Sequence, residues 1–510
     1  MERRLKLLAR LREKSIMRRL YPIMILHLYS LSHTQASPNQ IIEMMANSKK
    51  TLQPLSKTFG KIAALVRKWN YTLHRAAYLT SLTTPERRVR EFLQRLSHSL
   101  NMGVNLEGFM KIEYEKFLST SEAEFDRALE KVKKYIEAYS ALLTSMAFLS
   151  VSMLLTSMIY GVDVGKTLTA TALTSTITLA SLTILIARAM PRDPVIHDSP
   201  WRPEALKTLQ RTNLPLAAAS HSAAITLYIS TLGMPETGNP LIDTLTPIPL
   251  SLIVAGLPPL IVGRIGKRWV RKAEEMDEHY TTFIKSLGDA VQVSGALKPA
   301  SKILMMNDYG PLNRLILRMH RRLEAGFPQH RVLERFGDES LSSHIRRMNL
   351  MLADSLNFGA KASECAKAIH DYSLKRLLAR KKRRQVAGSL KGIALPLQAT
   401  LAAISALISV LTRILSRFAE LISGWMPVIT PIPEHQLTGF ILTIISATSL
   451  ISAVAIYYVE GDSQFTLTHS LGLLLTLSAA AYYASAAASQ TLFNIFTRFE
   501  EEVAGILSEV

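Results

Sequence analysis

The residues of this 510-residue chain that could do chemistry are few, and their spacing does not support it. A nucleotide-driven motor needs a glycine-rich turn closing on Lys-Ser or Lys-Thr, so that backbone N–H groups cradle phosphate. Only Gly165-Lys166-Thr167 approaches that pattern, and its upstream glycine, Gly161, stands one residue too near. The tripeptide reads as a short link between two apolar runs. A membrane aspartyl peptidase would need two aspartates at the membrane, one of them in a Gly-x-Gly-Asp setting. The pairs Gly288-Asp289, Gly337-Asp338 and Gly461-Asp462 follow Leu287, Phe336 and Glu460 and lack the earlier glycine. His-Glu-x-x-His does not occur, and the 13 histidines show no ligand spacing. His221 and His469 fall inside apolar runs and read as packing residues rather than a proton relay. The single cysteine, Cys365, excludes a disulfide within the chain and reads as a small residue packed on a helix. The expectation is therefore a protein without catalytic residues, without a metal site and without a cofactor.

What the chain does carry is positive charge: 60 Lys and Arg against 40 Asp and Glu, a formal net charge of +20. The charge is concentrated at Arg3, Arg4, Lys6 and Arg10, at Arg87, Arg88 and Arg90, at Arg346 and Arg347, and in the run Arg380, Lys381, Lys382, Arg383, Arg384. Such clusters attract nucleic acid, anionic lipid or an acidic protein surface. They are not interleaved with stacking aromatics, and no nucleic-acid motif accompanies them, so nucleic acid is not an expected partner. The 380–384 run abuts an apolar segment and suits lipid headgroups as well as protein. Arg87, Arg88, Arg90, Arg346, Arg347, Lys381, Lys382, Arg383 and Arg384 are the candidate partner-binding residues.

These charges must be positioned by a chain that is 48% hydrophobic, with a mean hydropathy of +0.16, too apolar for an ordinary soluble protein. Runs free of Asp, Glu, Lys and Arg and about 20 residues long mark membrane-spanning helices. They are Ser140 to Tyr160, Thr167 to Ile186, Leu214 to Leu232, Thr246 to Val262, Phe440 to Val459 and Thr466 to Ala487. A seventh, Ala387 to Val410, carries Lys391 near one end, where it can snorkel toward headgroups. Basic residues orient the spans, because Lys- and Arg-rich loops stay cytoplasmic. Residues 1–138 hold 25 of the 60 and residues 264–387 another 25, while the loop from Gly233 to Leu245 has none. The predicted topology is N-terminus inside. Its parts are a cytoplasmic helical domain at 1–138, four spans at 139–263 with a cytoplasmic loop 188–212, a second cytoplasmic domain at 264–387, three spans at 388–490 and an acidic tail at 491–510. The apolar stretch Leu20 to Leu31 is too short to span and is expected to be a buried helix of the first domain.

The two cytoplasmic domains resemble each other. Ser99-Leu100-Asn101-Met102-Gly103 recurs as Ser355-Leu356-Asn357-Phe358-Gly359, both late in their domain and both after arginines. Tyr21 to Met45 and Tyr280 to Met305 share a helix-break-helix outline. Apolar residues recur at helical spacing, as in Phe92, Leu96, Leu100 and in Met348, Leu352, Leu356. The domains are thus predicted to be duplicated antiparallel helical bundles, with Gly103 and Gly359 as left-handed helix caps. The fold class is all-α.

A helical domain with a late small-Leu-x-x-Gly turn, membrane spans, then a second copy resembles the type II secretion system F-domain family. The likeness is carried by Val89 to Phe109 and His344 to Ala368. The length, the duplication and the four intervening spans are similar to its archaeal branch, the platform proteins of archaeal type IV pili and archaella. That resemblance implies a non-enzymatic protein of the cell membrane that couples a cytoplasmic hexameric secretion ATPase to assembly of pilin-like filament subunits. It also implies contact with membrane lipids and association with copies of itself. A secondary transporter or channel is the alternative, against which stands the near absence of ionisable groups in the spans.

Overall fold

The computed structural model describes residues 2–160, 164–190, 192–231, 247–422 and 433–508. The protein is an all-α polytopic membrane protein. Among the described residues the only β-type pairing is an isolated antiparallel bridge, Ile196 with Ser342.

The chain forms two compact units. The first comprises Met1–Asp126, Val195–Arg202 and Arg271–Arg380. Its N-terminal segment runs through α1 (Glu2–Ser32), α2 (Pro38–Asn47), α3 (Lys49–Leu52), α4 (Leu55–Trp69), α5 (Leu73–Thr83), α6 (Arg87–Asn101) and the start of α7 (Leu106–Tyr160). Two more helices lie outside it, α8 (Val164–Ala189) and α9 (Glu204–Thr231). The central segment runs from the end of α10 (Ile248–Ser294) through α11 (Leu297–Leu304), α12 (Asn313–Glu324), α13 (Gln329–Glu339) and α14 (Ser343–Asn357) into α15 (Ala362–Ile422).

Local chemistry sets the boundaries of α6 and α14 in the same way. Glu86 caps α6 by accepting from the Val89 N–H, and Ser342 caps α14 by accepting from the His344 and Ile345 N–H groups. Val89, Phe92, Leu93 and Leu96 bury one stripe of α6. At the far ends Gly103 (φ 77°) and Gly359 (φ 80°) take the left-handed conformation. Gly103 donates to Leu100 and Val104 to Ser99; Gly359 donates to Leu356 and Ala360 to Ser355, the paired bonds of a Schellman cap. Neither glycine has a neighbour that a Cβ would meet, so backbone conformation alone requires it. The helices keep step over a longer stretch: α13 begins at 329 against 73 for α5, α14 at 343 against 87 for α6, and α15 at 362 against 106 for α7.

The stretch 20–31 is the buried heart of α1, with Met24, Ile25, Leu26, Leu28 and Leu31 wholly enclosed. Its neighbours include residues of the central segment, because one apolar cluster joins the two: Phe59, Phe92 and Met110 belong to it together with Phe283, Phe336 and Ile369. Cys365 on α15 sits against the Ser30 carbonyl, and the Tyr114 hydroxyl donates to the Ala368 carbonyl at 2.8 Å.

The second unit comprises Arg127–Pro194, Pro203–Val270 and Lys381–Val510, and adds α16 (Glu434–Glu460) and α17 (Gln464–Ser508). Among the described residues five helices are long and apolar enough to cross a membrane, with candidate spans in Gly165–Ala189, Ile248–Ser294, Ala362–Ser416, His435–Glu460 and Gln464–Ser489. The other two apolar runs lie in α7 and α9. Ser140 to Tyr160 is helical throughout, with several side chains outside the described residues. The run from Leu214 is helical to Thr231, and Ser220, His221 and Ser222 dilute its apolar character. Gly161 and the loop 233–245 lie outside the described residues. Small residues let these helices approach closely: a Cβ on Gly263 would collide with the His469 backbone and one on Gly472 with Leu260. Buried polar pairs bridge the helices, as Tyr139 with Ser452 at 2.7 Å and Gln398 Nε2 with Ser449 at 2.9 Å.

Candidate functional site

The basic residues singled out from the sequence divide into those that face outward and those that close the fold. Arg87 is at the surface, its side chain 85% exposed, and meets Glu91 one turn on at 2.6 Å. That guanidinium holds the Glu91 carboxyl below its usual range. Arg88 reaches Glu124 at 2.7 Å. Arg90, also exposed, donates from Nε and Nη2 to the Thr84 carbonyl. Arg347 is exposed, while its neighbour Arg346 is not available in the same way. Its Nε donates to Asp338, a carboxylate only 5% exposed, at 2.6 Å. Arg346 thus neutralises a buried acid while its own side chain stays 31% exposed.

The 380–384 run splits by helical geometry. Residues three apart share a face, and Arg380 and Arg383 turn inward while Lys381, Lys382 and Arg384 are exposed. Arg380 donates to the enclosed Asp277 at 2.8 Å. Arg383 is 4% exposed, and its Nε and Nη2 donate to the carbonyls of Val459 and Tyr458 at 2.7 and 2.9 Å. These are last-turn carbonyls of α16, which have no helical partner, and the guanidinium satisfies them. Gly461, at φ 70°, ends the helix, and a Cβ there would strike the Arg383 guanidinium. Arg383 is therefore engaged in closing the end of α16.

Around that helix end lies a charge cluster the sequence did not disclose. Glu460 is approached by Lys267 at 3.2 Å and Lys391 at 2.5 Å. Lys391 thus ends on a carboxylate rather than snorkelling to headgroups, as its place near a span end had suggested. The Asp193 N–H donates to the Gly461 carbonyl, and the Arg192 guanidinium lies 4.9 Å from the ring centroids of both Tyr457 and Tyr458. Four stretches distant in sequence, 192–193, 267, 383–391 and 457–461, are gathered at one end of the helices of the second unit.

Within the first unit the segment 195–202 lies along the central segment as a strap. The Ser343 N–H donates to the Val195 carbonyl at 2.7 Å, and the His197 N–H to the Leu341 carbonyl at 3.1 Å. The His197 Nε2 is 2.9 Å from the Asp338 carbonyl, and its Nδ1 accepts from the Ser199 N–H at 3.1 Å. Burial pushes the His197 imidazole below its ordinary value. Trp201 closes the strap, with the Arg335 guanidinium 3.5 Å from its ring centroid.

Sequence reasoning also missed outward basic stripes on single helices. Lys57 and Lys61 lie exposed on α4, and Arg314, Arg318 and Arg321 on α12 beside the exposed Leu317. Their spacing of three and four residues was the available signal. Among the described residues no group of three or more His, Cys, Asp or Glu is arranged to hold a metal ion. The described arrangement offers binding surfaces and interlocked charges.

The chain is similar along most of its length to the Flagella accessory protein J of Methanocaldococcus jannaschii. The two are 25% identical over 475 residues, covering 91% of this chain and 83% of that protein. It is also 23% identical to the Flagella accessory protein J of Methanococcus voltae over 369 residues, covering 71% of this chain and 64% of that one. No family model matches, and no solved structure matches.

Proposed function

We propose that the chain is a membrane platform protein that couples a cytoplasmic secretion ATPase to assembly of an archaellum or a related type IV pilus-like filament. The observation that carries this reading is the likeness, over 91% of the chain, to a protein named Flagella accessory protein J. A helical membrane body joined to a basic helical unit fits a protein that docks others rather than transforms a substrate. In this reading the N-terminal and central segments are copies of one F-type domain, which the shared helix order and the twin glycine caps support. Both lie in the cytoplasm, where Arg87, Arg88, Arg90 and Arg347 offer the ATPase a positive surface. Lys381, Lys382 and Arg384 face anionic lipid, and a second copy of the chain completes the platform beneath the pilin-like subunits.

Deleting the gene in its host should abolish filaments seen by electron microscopy, and the wild-type gene should restore them. Filaments that persist in the deletion strain would end the platform reading. A purified protein that moved a solute across liposomes without an ATPase would move the function to transport.

A further inference from the structure

The strap 195–202 stands apart from the rest of the first unit. Its inward side chains Val195, Ile196, His197 and Ser199 are buried, while Asp198 and Pro200 are exposed. Beside the burial of Val195 and Ile196, the contacts that hold it include two backbone hydrogen bonds, one stacked tryptophan and one imidazole. Of these the imidazole alone can change charge near neutral pH. Its two nitrogens have fixed roles. The Nε2 faces a carbonyl and must carry hydrogen; the Nδ1 accepts from a backbone N–H and must not. A proton added at Nδ1 would set one N–H against another in a buried site.

The N-terminal segment shows what the docking edge looks like uncovered. Counting back from Leu341 and Ser343 by the spacing that separates α14 from α6 reaches Pro85 and Arg87. Among the described residues no hydrogen bond uses the Pro85 carbonyl or the Arg87 N–H, and Leu82 beside them is 57% exposed. Among the described residues the α5–α6 pair keeps its caps and its buried stripe with no backbone segment paired at Pro85 and Arg87. The strap is thus an addition to a type of helix pair that closes without one in the N-terminal segment. The turn differs at one point, since Leu341 has φ 61° where Pro85 cannot. Leu341 holds its carbonyl toward His197 in a left-handed conformation that is strained for a residue with a side chain.

We propose that residues 195–202 form a detachable strap whose hold on the central segment is set by the protonation state of His197. The neutral ring latches it; the imidazolium releases it and bares the Leu341–Ser343 edge and the Arg335 guanidinium. The charged groups facing the ring are Asp338 from α13, Arg346 from α14 and Arg202 from the strap itself. Asp338 is already paired with Arg346, and the two arginines oppose a further positive charge on the ring. Because the latched pKa lies below that of a free imidazole, the latch is at full strength above about pH 6.5 and weakens as pH falls below it. The inference does not depend on the platform reading, and its test involves no filament.

A spin label on Asp198→Cys reads the strap directly in the full chain in nanodiscs, because Cys365 is buried. The label should be immobilised at pH 7.5, and its mobile fraction should rise reversibly, by up to about tenfold per pH unit, below the free-imidazole value. His197→Gln, which keeps a neutral donor toward the Asp338 carbonyl and has no titrating nitrogen, should show no release as pH falls; His197→Ala should be mobile at every pH. The proposal is overturned if His197→Gln releases at the same pH as the parent, or if His197→Ala is immobile at pH 7.5. It is equally overturned if mobility rises only together with loss of helical circular dichroism, since that is unfolding and not release.

Discussion

The guanidinium of Arg95 closes on the carboxylate of Glu113 through two parallel bonds, Nε to Oε1 at 2.6 Å and Nη2 to Oε2 at 2.7 Å. Glu113 is almost enclosed, at 7%, whereas Arg95 is 38% exposed. The pair ties α6 to α7, and removing the cation leaves a carboxylate with little access to water. Arg95→Met should lower stability by about 2 kcal/mol, less than a fully enclosed pair would lose because solvent still reaches the arginine. Arg95→Met with Glu113→Leu should recover most of it. Thermal midpoints of the full chain, followed by intrinsic fluorescence, check both; a double variant no better than the single one would contradict the argument.

His27 supplies a pH dependence with a definite sign. The ring is fully buried on α1 with Nε2 3.2 Å from the Ser48 hydroxyl, and burial pushes its pKa down to about 3. An unfolded histidine titrates near 6.5, so the unfolded chain takes up the proton first as pH falls. The contribution of the neutral ring is complete above about pH 6.5 and is lost progressively toward about pH 3, a change on the order of a few kcal/mol. The His27→Phe variant should show a flatter fall of thermal midpoint between pH 6.5 and 4 than the parent. Parallel curves for the two proteins would rule the effect out.

Arg383 and Arg384 are neighbours with opposite expectations. Arg383→Ala strips the end of α16 of its guanidinium and should cost about 3 kcal/mol, seen as a lower thermal midpoint in detergent. Arg384→Ala, at an exposed position, should change stability by less than about 0.5 kcal/mol. If the two variants melt together, Arg383 does not close the helix end.

Sidedness can be read with an impermeant thiol reagent. The basic-residue asymmetry predicts that Asn313 lies in the cytoplasm and Gly238 outside. Gly238→Cys should be labelled in intact cells and Asn313→Cys only after permeabilisation. The reverse pattern would invert the topology.

The helices were legible because their cause is local. Stripes such as Phe92 and Leu96, and the glycines at 103 and 359, carry period and cap chemistry in a few adjacent residues. The charged residues were legible only as charge. A run such as 380–384 advertises attraction to something, but which member turns inward depends on the carbonyls of Tyr458 and Val459 and the carboxylate of Asp277, all remote in sequence. The helical spacing of Arg380 and Arg383 was the one clue on offer. Lys391 illustrates the same limit, since a lysine at a span end looks alike whether it meets headgroups or Glu460. The strap was beyond reach, because a backbone bridge between Ile196 and Ser342 leaves no trace in either stretch.

The single apolar cluster that joins the N-terminal and central segments governs how the protein can be cut for study. A fragment ending near residue 138 would keep α1 to α6 but present to water the wall where Phe283, Phe336 and Ile369 would have packed, and such a patch invites aggregation. The central segment expressed alone would fail for the mirror-image reason. A piece that keeps the cluster whole has to be spliced, with residues up to 126, Val195–Arg202 and 271–380 joined by designed linkers and the membrane helices between them left out.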